Sequence, residues 1–577
     1  MSKRRKTAAE APSPPAADTL AAKQPGVYAW FAGALFLAAL IVYLPAANGP
    51  FLFDDRSLAP LLEAPPDWSF LAARLARSIT NLSLVFEASI SGLNPKSFHL
   101  TNLLIHLLNG LLVWRILDLL STRFGGGHPG SRMAALAGTG LYLLHPLQSE
   151  AVAYISSRSE VLCALFAYAA LLVFLAASPA GDISWTRSLA VTTLLALSAL
   201  SKEPGVAMAG VFVALDLFSE SPLTLKPLLR RWRLYVPMLA AASFVGFRLY
   251  ALLSREGTAG ATAKHKPIDY LLTQFTVFWH YVRLIVFPVG QNLDHDYPAV
   301  RAPGTIFTWA GFVAIAAVLV LLWKWRARYP LAFLGAVFLL ILLAPTSSVV
   351  PIDDAMAERR LYLGFPGVAM IAAEFLRRIR PSPRAAAAIA AVLAVLGGLT
   401  WRRAELYTSA VAMWQDSVSV NPRNSRAWFH LAFAFYEQGR CAEASRAYEK
   451  AAMAGGADYT LLVDWALALQ CAGRLDEALA KLEEAKKLQR HSHAWAVAGR
   501  ILAQKGDLGG ALESLNEAIR MNPYDSNAMV YRGNVHMLRN DPAAALADYE
   551  LALRLAPGDP AAAKGRQAAL AALARSR

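Results

Sequence analysis

The chain has 577 residues, 56% of them hydrophobic and 17% charged, with a formal net charge of +15. Its mean hydropathy of +0.37, against the ~25% charged residues usual in soluble domains, excludes an ordinary globular protein and points to repeated membrane-length segments. The basic excess sits in short loops between apolar stretches, where it signals orientation, so nucleic acid is not an expected partner.

Residues 1–26 are polar, rich in Ala and Pro and headed by Lys3, Arg4, Arg5 and Lys6, and read as a disordered cytosolic tail. Apolar stretches then begin near Val27, Phe98, Met133, Val161, Leu189, Val206, Leu234, Ile306, Leu331, Leu361 and Ala385. The stretch from Tyr270 to Pro288 contains Trp279, His280, Tyr281 and Arg283 and suits the membrane interface better than its core. With that stretch lying flat, about eleven crossings put the four clearest basic loops on one face, as the positive-inside rule requires. The fold class is all-α, a polytopic membrane bundle over 27–401. A connecting helix follows at 402–420, then a repeat domain at 421–577.

That topology brings four clusters of ionisable residues to the opposite, outer face. They are Asp54–Asp55, the loop from His145 to Glu160, Lys202–Glu203, and the loop from Pro351 to Gly364. Charges at membrane depth are costly and default to functional roles. Neighbouring Asp54 and Asp55 point about 100° apart on a helix and oppositely on a strand, so one faces a reacting group while the other orients. The first is a candidate general base. An acidic pair permits a divalent ion without requiring one, and no metal ligand set is assigned.

His99, Asn102, His106 and Asn109 follow a helical face that must turn inward. Interhelical hydrogen bonding is expected of His106, and substrate contact of His99. Seven residues place the two histidines ~10 Å apart along the axis, too far to share a metal. His145, Glu150, Arg158 and Glu160 crowd one loop, and the planar guanidinium of Arg158 suits a phosphate. Lys202 offers a point charge beside Glu203, and Arg359 follows Glu358. Structural ion pairing is the competing reading for each. No phosphate-binding glycine loop is present, so a soluble nucleotide-sugar donor is not indicated.

From residue 421 the chain repeats. Gly439, Gly473, Gly506 and Asn540 are spaced 34, 33 and 34 residues apart, and alanines keep phase five and twelve positions after each. The period predicts about four tetratricopeptide (TPR) helix pairs forming a solenoid with a concave groove. Cys441 and Cys471 fall where antiparallel helices make them neighbours, and a disulfide between them fits an oxidising compartment.

The strings FDD, SFHLTNLLIHLLNGLLVW, LLHPLQSEAVAYISSRSEVL, LSKEPG and AERRLYLGFPG occur in an order that resembles the transmembrane and TPR-repeat-containing O-mannosyltransferase family. That resemblance implies a GT-C-type, inverting glycosyltransferase with Asp54 as base and Asp55 as second acidic residue. It implies a polyprenyl-phosphate sugar donor, carrying mannose in the family's eukaryotic members, and a hydroxyl acceptor such as protein Ser or Thr. His99, His145, Glu150, Arg158, Glu160, Lys202, Glu203, Glu358 and Arg359 would hold lipid phosphate and acceptor. The Ala/Arg/Pro-rich composition suggests a bacterial inner-membrane protein with a periplasmic TPR domain. In a eukaryote the same domain would be luminal in the endoplasmic reticulum. A non-catalytic TPR scaffold anchored in the membrane is the alternative.

Overall fold

The computed structural model describes residues 25–58, 77–124, 128–177, 181–218, 224–243 and 265–576. The expected N-terminal tail lies, up to residue 24, outside them. No strand occurs among the described residues. The chain divides into two compact units, 1–408 and 409–577.

The first unit contains α1 (Pro25–Tyr43), α2 (Ser78–Ser91), α3 (Pro95–Phe124), α4 (Ser131–Leu144), α5 (Arg158–Leu175) and α6 (Trp185–Ser201). It continues with α7 (Met208–Leu217), α8 (Pro267–Val286), α9 (Ile306–Lys324), α10 (Pro330–Leu343), α11 (Leu361–Leu376) and α12 (Pro383–Leu406). Among the described residues, five helical stretches are long and apolar enough to cross a membrane: Tyr28–Asn48, Pro95–Phe124, Ile155–Leu175, Ile306–Lys324 and Pro383–Leu406. The expected eleven spans are not reproduced by this measure. The stretches starting near Met133 and Leu331 form helices of 14 residues, ~21 Å long against a ~30 Å hydrocarbon core. Those near Leu189, Val206 and Leu361 reach 17, 10 and 16 residues.

Small residues bring the helices together. A Cβ on Gly335 of α10 would lie 2.4 Å from the Gly367 carbonyl oxygen of α11, and one on Gly367 would lie 2.3 Å from that of Gly335. Such close backbone approach is how membrane helices gain packing where lipid offers no hydrophobic incentive. The polar stripe of α3 faces inward, as its periodicity requires. His106 bonds through Nδ1 to the Tyr362 hydroxyl at 2.8 Å and through Nε2 to the Leu143 carbonyl at 3.2 Å. Asn109 donates to the Val161 carbonyl at 2.9 Å. Each bond ties a different helix to α3.

The second unit starts with α13 (Ala410–Val420). The stretch 402–420 is therefore not one connecting helix. It breaks at 407–409, and the Ser409 side chain caps α13 by accepting from the Ala412 amide. Four helix pairs follow: α14 and α15 (Ser425–Glu437, Cys441–Gly455), then α16 and α17 (Tyr459–Cys471, Leu475–Leu488). The others are α18 and α19 (Ser492–Lys505, Leu508–Met521) and α20 and α21 (Ser526–Leu538, Pro542–Leu555), closed by α22 (Pro560–Ser576). The four turn residues that mark the period all adopt positive φ, 71°, 76° and 87° at the glycines and 58° at Asn540. That left-handed conformation ends each first helix and explains the residue type. The eight phased alanines, from Ala444 to Ala552, are all fully buried. Cys441 and Cys471 are joined in a disulfide with Cα atoms 5.6 Å apart.

Candidate functional site

The segment after α1 is drawn to the end of α12 at Gly49, where a Cβ would lie 2.2 Å from the Tyr407 carbonyl oxygen. Five and six residues on, Asp54 and Asp55 occupy a short 3-10 turn, Phe53–Leu58, entered through Phe53 at a φ of 44°. A left-handed non-glycine residue costs roughly 1–3 kcal/mol and is held only where the surroundings insist. Here they do so through two reciprocal ties to residues 154–156. The Asp54 amide donates to the Tyr154 hydroxyl at 2.8 Å. Asp55 Oδ1 accepts from the Ser156 amide at 2.7 Å and its hydroxyl at 2.6 Å, and Oδ2 accepts from the Leu52 amide at 3.0 Å.

The two carboxylates consequently differ. Asp55 is buried, and burial pushes its carboxyl up from 3.8 to about 7, against the lowering effect of its Ser156 and Leu52 hydrogen bonds. Asp54 is exposed and stands on the wall of a cavity of about 240 Å³. Arg77, Tyr154, Ser156, Lys202 and Arg359 share that wall. All four anticipated clusters reach this wall, residues 145–160 through Tyr154 and Ser156.

Each of the three cations is backed by a glutamate. Arg77 lies 3.5 Å from Glu203, Lys202 pairs with Glu160, and Arg359 pairs with Glu150. Glu150 is 2% exposed and also accepts from the Arg359 amide at 3.0 Å. Burial pulls the Lys202 amine below its usual range against the pull of Glu160, and both Arg77 and Arg359 add to the lowering. The three cations thus act on one volume. Glu150 and Glu160 outweigh burial to hold Arg359 firmly protonated. A concave site with three cations and one exposed carboxylate can take an anionic group and a proton-bearing nucleophile side by side.

Four anticipated site residues do not face this cavity. Arg158 is completely buried, and each of its three guanidinium nitrogens has a partner: Asn102 Oδ1 at 2.8 Å, the Phe98 carbonyl at 2.9 Å and the Glu87 carboxylate. It locks α2, α3 and α5 together and has no donor group turned to a phosphate. His145 is buried at the end of α4, where Nδ1 accepts from the Leu147 amide and Nε2 meets the Ile285 carbonyl at 3.0 Å. His99 is buried against the Gly49 and Ala153 backbone. Glu358 turns inward and accepts from Gln291, the Asn292 amide and His295 at 2.7–2.9 Å. Burial opposes its ionisation, but the His295 bond and neighbouring cations hold it below the usual carboxylate range. Glu160, Glu150 and Glu203 act behind the cations rather than on the wall. Arg77 and Tyr154 were missed by sequence reasoning. Among the described residues no group of three or more His, Cys, Asp or Glu is arranged to hold a metal ion.

A tetratricopeptide-repeat family model matches residues 397–459, 463–526 and 510–560. Over 442 residues the chain is 22% identical to the Caenorhabditis elegans protein named protein O-mannosyl-transferase F38B6.6, covering 72% of this chain and 61% of that one. It is 24% identical to Drosophila melanogaster protein O-mannosyl-transferase Tmtc3 over 65% of this chain and 48% of the relative. The chain resembles the TPR-bearing protein O-mannosyl-transferases. Human protein O-mannosyl-transferase TMTC3 adds 29% identity over 154 residues, 26% of this chain and 16% of that relative. The chain thus spans between about a sixth and three fifths of the length of these O-mannosyl-transferases. Among solved structures, YrrB, described as a TPR protein with an unusual peptide-binding site, aligns with 31% of this chain at 20% identity and a TM-score of 0.25, covering 89% of its own length.

Proposed function

We propose that this protein is a membrane glycosyltransferase that moves a sugar, mannose by analogy with its named relatives, from a polyprenyl-phosphate carrier to a hydroxyl acceptor. The observation that carries the reading is the exposed carboxylate of Asp54 on the wall of a cavity shared with Arg77, Lys202 and Arg359. In the reaction Asp54 takes the proton of the acceptor hydroxyl, the hydroxyl oxygen bonds to the anomeric carbon, and the carbon–phosphate oxygen bond breaks. The lipid phosphate leaves with the bonding pair, stabilised by the three cations, and single displacement inverts the anomeric centre. The reaction would occur on the outer face, periplasmic in a bacterium, with a protein acceptor engaged by the TPR unit. The division into tail, membrane domain to about residue 401 and TPR domain from residue 421 belongs to the same reading.

Asp54→Asn tests it. Proton transfer by a positioned group contributes ~10²–10⁴-fold. The expected result is loss of a hexose-sized modification from envelope proteins or lipids by mass spectrometry, with the variant folded and abundant. The second reading, a membrane-anchored scaffold, is favoured by the family match lying in the repeats and the segment just before them. Under it, Asp54→Asn leaves the envelope unchanged.

A further inference from the structure

A second cavity, of about 150 Å³, lies between α8, α9, α10 and the turn after α10. Its walls are mostly apolar, with Phe275, Phe278, Ile315 and Leu340 among them; the polar residues are Gln274, Ser347 and Tyr281, whose hydroxyl is already bonded to the Ala357 carbonyl at 2.9 Å. α9 is fixed to α8 at Gly311, whose carbonyl accepts from Trp279 Nε1 at 3.0 Å and where a Cβ would lie 3.2 Å from the Phe275 carbonyl oxygen. Ile315 follows one turn later. Only 6% of the most apolar window of α9 is buried, so this wall of the cavity belongs to a helix whose remaining surface suits hydrocarbon.

The polar pair defines what the cavity wants. Gln274 is 4% exposed, and its Nε2 donates to the Ala355 carbonyl at 3.0 Å. A carbonyl only accepts, so the amide orientation is fixed and Oε1 must find a donor. Oε1 is buried with no donor, and the Ser347 hydroxyl is buried with no partner. Buried polar atoms in native proteins are almost always satisfied. One hydroxyl group can satisfy both atoms, and the apolar remainder of the lining suits a hydrocarbon chain rather than further water.

We propose that this cavity binds the hydroxyl end of a long-chain lipid alcohol. The hydroxyl donates to Gln274 Oε1 and accepts from the Ser347 hydroxyl, while the chain runs over Phe275, Phe278, Ile315 and Leu340 into the bilayer. An ester or ether oxygen only accepts and leaves Gln274 unsatisfied. A phosphate finds no cation on these walls. The site is separate from the Asp54 cavity and does not depend on sugar transfer.

The test uses the full chain in phospholipid nanodiscs with a diazirine-bearing hexadecanol and its methyl ether, which has the same chain and no donor. On illumination the alcohol should label peptides from α8 and residues 340–347 at least tenfold above the ether. Gln274→Leu, which removes the acceptor, and Leu340→Trp, which fills the cavity, should each reduce alcohol labelling to the ether level. Ser347→Ala, the mildest change, should lower it several-fold with an unchanged melting temperature. Equal labelling by alcohol and ether, no labelling of these peptides, or labelling unaffected by Ser347→Ala would each overturn the proposal.

Discussion

Asp54 and Asp55 show how one peptide unit separates two carboxylates into different tasks. Asp55 keeps its proton to higher pH in the folded protein than in the unfolded chain, because burial raises it from 3.8 to about 7. The sign follows: its contribution to stability is complete below about 3.8 and is lost as pH rises towards about 7. Thermal melts of the wild type should therefore fall between pH 4 and 7, and Asp55→Asn should flatten that slope. A slope unchanged by Asp55→Asn would assign the pH dependence to other groups. Arg359 offers a second test, since its removal leaves Glu150 buried without its cation. Breaking such a pair costs about 3–5 kcal/mol. Arg359→Ala should destabilise by that order, and adding Glu150→Gln should recover much of it, measured as a double-mutant cycle.

At the level of elements, Gly335 and Gly367 let the backbones of α10 and α11 approach closely in the membrane unit. Gly335→Leu should force the two helices apart and lower stability by about 1–3 kcal/mol, read as a drop in melting temperature. In the TPR unit, Cys441 and Cys471 close a loop with a sequence separation of 30, worth about 4 kcal/mol in the chain-entropy account. Denatured, unreduced protein should present one reactive thiol, Cys163; three would remove the bridge. The repeats were legible because turn glycines and alanines recur with a fixed period, and each has a local reason that the sequence displays. Arg158 was not, because its partner Glu87 lies 71 residues away and nothing local marks the pair. Nor did the sequence reveal that apolar stretches near Met133 and Leu331 become 14-residue helices. Hydropathy registers where a chain avoids water, while helix ends depend on caps and turns.

For the whole molecule, the convergence of Asp54, Lys202 and Arg359 was legible from loop charges and topology, whereas Arg77 and Tyr154 looked like ordinary flanking residues. Their roles come from tertiary placement: Tyr154 through a hydroxyl bonded to the Asp54 amide, Arg77 through a cavity wall. The pairing of every wall cation with a glutamate has a kinetic consequence. An anion held by unopposed guanidinium and ammonium groups would be gripped hard and released slowly. Here each cation already has a resident carboxylate, so under the proposed reaction an incoming phosphate would exchange one partner for another and its net attraction would be modest. On its departure the glutamates would re-form their pairs and ease its exit. In the proposed reaction this arrangement would give short dwell times, which suits a site that must empty before it can act again.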